Sequence, residues 1–98
     1  MSAETFTLQC APGQAESLSG AVAAYAEAAY PPGGSECTQV ARETLLNSAQ
    51  LIARDAAGTG AILSRRQRSL YKAAVEWYFG DDVQADPEMK ATLLALIP

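Results

Sequence analysis

The sequence predicts a mainly α-helical fold: a compact four-helix domain with a short N-terminal β-strand, paired within the chain or across a dimer. Three observations support this prediction. The chain has 98 residues, a common size for one domain, so we expect residues 1–98 to form a single domain. Hydrophobic residues make up 49% of the chain and charged residues 18%, which is typical of a globular protein. Apolar residues recur at spacings of three and four over four segments, as they do in amphipathic helices.

A strand is predicted over residues 5–10, where polar and apolar residues alternate. The alternation places Phe6, Leu8 and Cys10 on one face. A lone strand leaves its backbone hydrogen-bonding groups without partners, so this strand needs a neighbour. The apolar run 61–63 is one candidate, and the same strand of a second protomer is the other. The second choice makes Phe6 and Leu8 part of a dimer or partner interface.

Two helices are predicted next, over residues 14–30 and 35–57. Two prolines and two glycines end the first helix, and the Ser35 hydroxyl is placed to accept a backbone hydrogen bond at the start of the second. We expect the first helix to bury a stripe made of Ala15, Leu18, Val22, Tyr25 and Ala29. We expect the second to bury Cys37, Ala41, Leu45, Ala49, Ile52 and Ala56, with Val40, Leu46 and Ala53 widening that face.

The last two helices are predicted over residues 64–79 and 86–97. Ser64 and Gln67 have the spacing of a capping box, in which two side chains satisfy backbone donors at a helix start. Asp86 precedes a proline and is placed to cap the fourth helix. The apolar stripe of the fourth helix continues to the end of the chain and must pack on the protein's own core or on another chain.

The third helix is apolar around much of its circumference, so it needs partners on more than one side. Trp77 and Tyr78 have two interpretations: they pack in the core, or they contribute to a dimer or partner interface. Core packing is favoured for Trp77, because aromatic clusters at helical spacing usually build the interior.

The side-chain inventory argues against an enzyme. The chain contains no histidine, which excludes an imidazole base and an imidazole metal ligand. Cys10 and Cys37 are too few for a zinc site, and we expect buried thiols, with one disulfide as the alternative. We therefore expect no catalytic residue, no metal site and no cofactor. The start of the chain resembles no signal peptide and no stretch is long enough to span a bilayer, which favours a cytoplasmic protein without membrane contact.

A basic cluster is the sharpest local signal. Four of the seven Lys and Arg residues lie within eight positions, with no acidic residue among them: Arg65, Arg66, Arg68 and Lys72. Positive charge opposes the dipole at a helix start, which suggests an external anion such as a phosphate, nucleic acid or an acidic protein surface. Tyr71 could stack on such a ligand. The alternative is a solvated face whose long side chains pack on the core.

An acidic segment lies at the other end of the same helix. Five carboxylates occur in thirteen positions without a cation: Glu76, Asp81, Asp82, Asp86 and Glu88. A solvated loop is the usual explanation. A contact with a basic surface is the alternative, including the basic cluster of a second copy, and this makes Asp81 and Asp82 candidate interface residues. Oxygen ligands could also hold calcium or magnesium, but the EF-hand spacing is missing.

A small non-enzymatic regulatory protein is the function that best fits this sequence. It would bind and inhibit or sequester a larger protein partner, such as a transcription regulator or a defence complex, since binding requires shape and charge but no catalytic group. A nucleic-acid-binding module that uses the basic helix start is the alternative, although the net charge of −4 argues against it. A structural assembly subunit is the third candidate. The strand and the wide apolar helix also predict a homodimer.

Overall fold

A computed structural model describes residues 4–80 and 86–98 and shows the predicted fold class, four helices with a short sheet. In chain order the elements are β1 (Thr5–Leu8), α1 (Pro12–Ala29), α2 (Glu36–Asp55), β2 (Ala61–Ser64), α3 (Arg68–Phe79) and α4 (Pro87–Leu96). A 3-10 turn (Arg65–Gln67) joins β2 to α3. Asp81 and Asp82, predicted as interface residues, lie outside the described residues.

The strand finds its partner within the chain. β1 and β2 pair antiparallel, with Phe6 opposite Leu63 and Leu8 opposite Ala61. All four of these side chains are buried, whereas Thr7 and Ile62 face outward. Of the two pairings considered from the sequence, the apolar run is the one observed. Phe6 and Leu8 therefore belong to the core, and their assignment to a dimer or partner interface is wrong.

β1 is shorter than predicted because the chain leaves the sheet after Leu8. The backbone N–H of Cys10 donates to Ala56 O at 3.0 Å, so this residue is held by the end of α2 instead of by β2. Gly60 makes the turn into β2 with a φ of 106°, and a Cβ at this position would lie 2.6 Å from Thr7 Cγ2. Glycine is required here on both grounds.

The helix starts follow the predicted chemistry in part. Ser35 Oγ accepts from the backbone N–H of Thr38, and Asp86 Oδ1 accepts from that of Met89 at 3.1 Å. Ser64 also caps a helical turn, but its hydroxyl accepts from the N–H of Arg66 and the turn is 3-10. The predicted capping box is therefore replaced by a tighter turn.

The core lies where α1, α2, α3, α4 and the inner face of the sheet meet. α1 packs along α2 and α3, and α4 packs mainly on α3. Leu93 and Ile97 bury the apolar stripe of α4, so the end of the chain docks on its own core. The largest fully buried side chains are Tyr71, Leu8, Leu18, Leu45, Ile52, Leu93, Val22 and Val75.

Several residues predicted to be in the core lie outside it. Cys37 is exposed, Val40 is 61% exposed, and the buried residues of α2 begin only at Leu45. Ala29 and Ala53 are also exposed. For Cys37 and Val40 the physical reason is length: α2 has 20 residues, about 30 Å at 1.5 Å per residue, and its first turns extend past the packed interior. Ala53 is exposed although Ile52 and Ala56 beside it are buried, so it lies on the outward side of α2. Both cysteines are free thiols, and only Cys10 is partly buried.

Candidate protein-interaction surface

Five of the seven aromatic side chains form a continuous row of neighbouring rings, which we call the aromatic row. Its ring centroids are separated by 6.2 Å for Tyr30 and Tyr25, 5.8 Å for Tyr25 and Trp77, 6.4 Å for Trp77 and Tyr78, and 5.4 Å for Tyr78 and Phe79. These separations fall within the range in which aromatic rings attract one another. The row joins the end of α1 to the last turn of α3.

Two members of the aromatic row are open to solvent. Trp77 is 50% exposed and Tyr78 is 51% exposed, whereas Tyr25, Tyr30 and Phe79 are partly buried. The core interpretation favoured for Trp77 from the sequence is therefore wrong, and the interface interpretation is compatible with its position. An exposed aromatic cluster supported by a packed base is typical of a binding surface.

Tyr78 is exposed because the apolar stripe of α3 is longer than the core. Tyr71, Ala74 and Val75 are buried and share one face of the helix at spacings of three and four. Tyr78 continues that face one turn further, where half of its surface meets solvent. The stripe itself is visible in the sequence, but the point at which the core stops covering it is not.

Arg42 holds the α1 end of the aromatic row in place. Its guanidinium donates to Glu27 at 2.8 Å and 2.9 Å and to the backbone oxygen of Tyr30 at 3.2 Å. The Arg42 side chain is only 17% exposed, and its charge lies at the C-terminal end of α1, where the helix dipole favours a cation. Sequence reasoning missed this contact because residues fifteen positions apart gave no signal of proximity.

The basic cluster lies at the other end of α3. Arg66 and Arg68 are exposed, and Arg65 and Lys72 are partly buried. Within residues 4–80 and 86–98, the two ion pairs are Arg42 with Glu27 and Arg54 with Asp55, so none of the four cations pairs there. Arg65 Nε is buried and has no hydrogen-bond partner in that part of the chain. Arg66 and Arg68 are thus the members of the cluster that are accessible to an external anion.

Tyr71 does not belong to this cluster. It is 1% exposed, and its hydroxyl shares a hydrogen bond with Ser48 Oγ at 2.9 Å inside the core. The ring meets Phe6 edge to face at a centroid distance of 6.3 Å. Burial raises the pKa of the Tyr71 hydroxyl. The prediction that Tyr71 stacks on a bound ligand is wrong, because no face of its ring reaches solvent.

Two shallow grooves are weaker candidates for a functional site than these surfaces. One lies beside the exposed start of α2 and is lined by Glu36, Cys37 and Val40. The other lies between α1 and α2 and is lined mainly by small residues: Pro12, Ala15, Glu16, Ser19, Ala53 and Ala57. Neither gathers the convergent polar groups that orient a small-molecule ligand. In the part of the chain that the structure describes, no group of three or more metal-ligating side chains occurs.

Every helix among the described residues is too short or too polar to cross a lipid bilayer. Comparison of the chain with protein-family models, with curated proteins and with solved structures found no match.

Proposed function

We propose that this chain is a small non-enzymatic regulatory protein that binds a larger protein partner through the aromatic row and inhibits or sequesters it. One observation carries the proposal: Trp77 and Tyr78 are adjacent, half-exposed and supported by Tyr25 at the end of α1. Tryptophan and tyrosine are enriched among the residues that dominate binding energy. A transcription regulator or a defence complex are examples of such a partner.

The magnitude of the aromatic contribution is sufficient for a binding anchor. Aromatic side chains bury about 150 to 250 Å² each, so the exposed halves of Trp77 and Tyr78 offer roughly 200 Å² together. At about 25 cal/mol per Å², covering this area yields roughly 5 kcal/mol before the cost of association. The anchor therefore needs a surrounding contact surface. Tyr25, Tyr30 and Phe79 supply part of it.

The experiment compares two double variants in capture from a lysate of the source cells. Trp77→Ala/Tyr78→Ala removes the exposed aromatic pair. Thr7→Ala/Ile62→Ala removes two paired, exposed side chains on the outer face of the sheet, away from the ends of α1 and α3. We expect the immobilised chain and the second variant to retain the same protein, identified by mass spectrometry, and the first variant to lose it.

Folding must be checked in the same experiment. Full burial makes a tryptophan-to-alanine change cost about 3 to 5 kcal/mol, so we expect a cost of about 2 kcal/mol for half-exposed Trp77. Circular dichroism should therefore report the parent helix content in both variants. If the retained protein is captured equally by both folded variants, the aromatic row is not its binding surface.

A nucleic-acid-binding module remains the alternative, and the accessible members of the basic cluster favour it. Phosphate contacts supply most of non-specific nucleic-acid affinity. Two observations argue against it. Tyr71, the residue predicted to stack on a nucleic acid, is buried. The net charge of −4 also repels a polyanion. A structural assembly subunit is the third candidate. In the capture experiment, such a subunit should retain many copies of one assembly protein instead of a single regulated protein.

Two further expectations stand beside this proposal. The free thiols of Cys10 and Cys37 support a reducing, cytoplasmic compartment. Self-association into a homodimer is supported by the charge pattern of α3.

A further inference from the structure

The outward side of α3 combines charge, small residues and an aromatic ring. Arg68, Ser69, Glu76 and Trp77 are exposed, and Lys72 and Ala73 between them are partly buried. At 100° per residue these six positions occupy one continuous side of the helix. We call this side the α3 outer face: Arg68, Ser69, Lys72, Ala73, Glu76 and Trp77.

Charge is ordered along the α3 outer face. Arg68 and Lys72 lie in its first half, and Glu76 lies in the second, eight residues from Arg68 or about 12 Å along the axis. Neither Arg68 nor Glu76 has an oppositely charged group within 4.0 Å in the described ranges 4–80 and 86–98. Arg68 and Lys72 are like charges at a spacing of four, which is unfavourable for an isolated helix.

We propose that a second copy of this chain docks on the α3 outer face, with the two α3 helices antiparallel across a two-fold axis. An antiparallel arrangement places Arg68 of each copy beside Glu76 of the other, whereas a parallel arrangement places like charges together. The two-fold axis makes the pairing occur twice. Charge complementarity thus selects a second copy of this chain, in one orientation, as the occupant.

The small and aromatic residues of the face fit the same arrangement. Ala73 is a small residue next to the two-fold axis, where the two helices approach most closely, and Ser69 is a second small residue about one turn before it. Trp77 at the end of the face comes beside the start of the other α3. A guanidinium such as that of Arg68 packs favourably on an indole ring. The exposed half of Trp77 is thereby covered together with the charges.

Lys72 lies midway between Arg68 and Glu76. The antiparallel pairing therefore brings Lys72 of one copy near Lys72 of the other copy at the two-fold axis. That like-charge contact weakens the dimer, although the long side chain can carry its ammonium away from the axis. Arg68 and Lys72 therefore make opposite contributions to self-association despite having the same charge.

The inference does not rest on the proposed function, although the two surfaces share Trp77. Tyr78 points about 100° away from Trp77 around the helix and lies outside the α3 outer face. One helix face also covers less than the roughly 800 Å² per partner of a standard interface. The dimer should therefore be weak, with dissociation in the micromolar range or above.

Mass measurement by light scattering and sedimentation tests the proposal. From micromolar to millimolar concentration, the parent mass should rise from 10.3 kDa toward twice that value. Arg68→Glu gives a face that is acidic at both ends, and Glu76→Arg gives one that is basic at both ends. Each variant alone should remain monomeric at concentrations where the parent associates, with an association constant lowered by about tenfold or more.

Mixing the two single variants separates this arrangement from a folding defect. Arg68→Glu and Glu76→Arg are complementary to each other, so an equimolar mixture should form a one-to-one heterodimer. The double variant Arg68→Glu/Glu76→Arg should self-associate like the parent. Circular dichroism of every variant should match the parent.

Two neutral variants provide the matched control. Arg68→Gln and Lys72→Gln remove the same charge from the same helix, yet the first should weaken the dimer and the second should strengthen it. Equal effects of the two would show that net charge alone acts, and would overturn the proposal. A parent that stays monomeric throughout the concentration range overturns it too, as does a dimer that survives both charge reversals or a mixture that fails to associate.

Discussion

Ser48 and Tyr71 form a buried polar contact between α2 and α3. Their oxygens are 2.9 Å apart, Ser48 is 6% exposed, and the Tyr71 ring lies among apolar side chains at 1% exposure. A buried hydroxyl without a partner is costly, so the two residues depend on each other. The hydrogen bond also fixes the position of α3 relative to α2, since a shift of either helix breaks it.

We expect Tyr71→Phe to lower the free energy of unfolding by about 1 kcal/mol, because it leaves the Ser48 hydroxyl without its partner. Ser48→Ala should also lower the free energy of unfolding, because it removes the side-chain partner of the Tyr71 hydroxyl. The double variant should cost less than the sum of the two single variants, and urea denaturation of all four proteins measures this coupling. Strict additivity would show that the two hydroxyls contribute independently.

The same burial predicts a loss of stability in alkaline solution. Because burial raises the pKa of the Tyr71 hydroxyl, the folded chain retains this proton at pH values where the unfolded chain loses it. Its stabilising contribution is therefore complete below the ordinary tyrosine pKa of about 10 and declines as the pH rises above that value.

Urea denaturation at several pH values on either side of about 10 should show this decline in the parent. Tyr71→Phe should show a shallower decline, because it removes the titrating group. The Cys10 thiol also has a pKa raised by burial, so Cys10→Ser separates its share. Parallel curves for the parent and Tyr71→Phe would contradict the prediction.

At the scale of elements, hydrophobic periodicity predicts the direction in which a side chain points but not how far the core extends along the helix. This is why four helices and their inner faces could be predicted. Cys37 and Val40 were wrongly predicted to be buried, the core was wrongly favoured for Trp77, and for Tyr78 the sequence did not decide between the core and an interface. Cys37, Val40 and Tyr78 lie at an end of a helix that extends beyond the interior, whereas Trp77 lies on the α3 outer face. The missing information is the placement of neighbouring elements, which local sequence does not contain.

The exposed start of α2 makes Cys37 a chemically accessible thiol. We expect Cys37 to react readily with a disulfide reagent such as Ellman's reagent, because its thiol is exposed. Cys10 should react more slowly, because it is partly buried and burial raises the pKa of its thiol, which reduces the fraction of reactive thiolate. The variants Cys10→Ser and Cys37→Ser assign the fast and slow phases, and a reversed order would contradict the structure.

At the scale of the whole molecule, the surface divides into regions of different character. The aromatic row lies at one end of α3, and the basic cluster lies at the other. Charge clustering is local in sequence, so the basic cluster could be predicted residue by residue. The aromatic row could not, because Tyr25 and Tyr30 reach Trp77 only through the packing of α1 on α3.

The overall charge leads to a prediction about DNA. With a net charge of −4, we expect no measurable binding to random duplex DNA at physiological salt, as monitored by fluorescence anisotropy of labelled DNA. Arg65→Gln/Arg66→Gln/Arg68→Gln is the control. Strong binding that decreases steeply with salt and disappears in this variant would favour the nucleic-acid function over the proposed one.

The position of Trp77 also makes the intrinsic tryptophan fluorescence of the protein a probe of binding. Trp77 is the chain's one tryptophan, and it lies half-exposed at the point where the aromatic row meets the α3 outer face. Excitation at wavelengths absorbed by tryptophan alone therefore reports on this one location, without any attached dye. Covering the ring should shift its emission to shorter wavelength and protect it from a dissolved quencher. A shift that grows with the concentration of the pure chain reports self-association, and a shift at low concentration on adding a second protein reports docking of that protein.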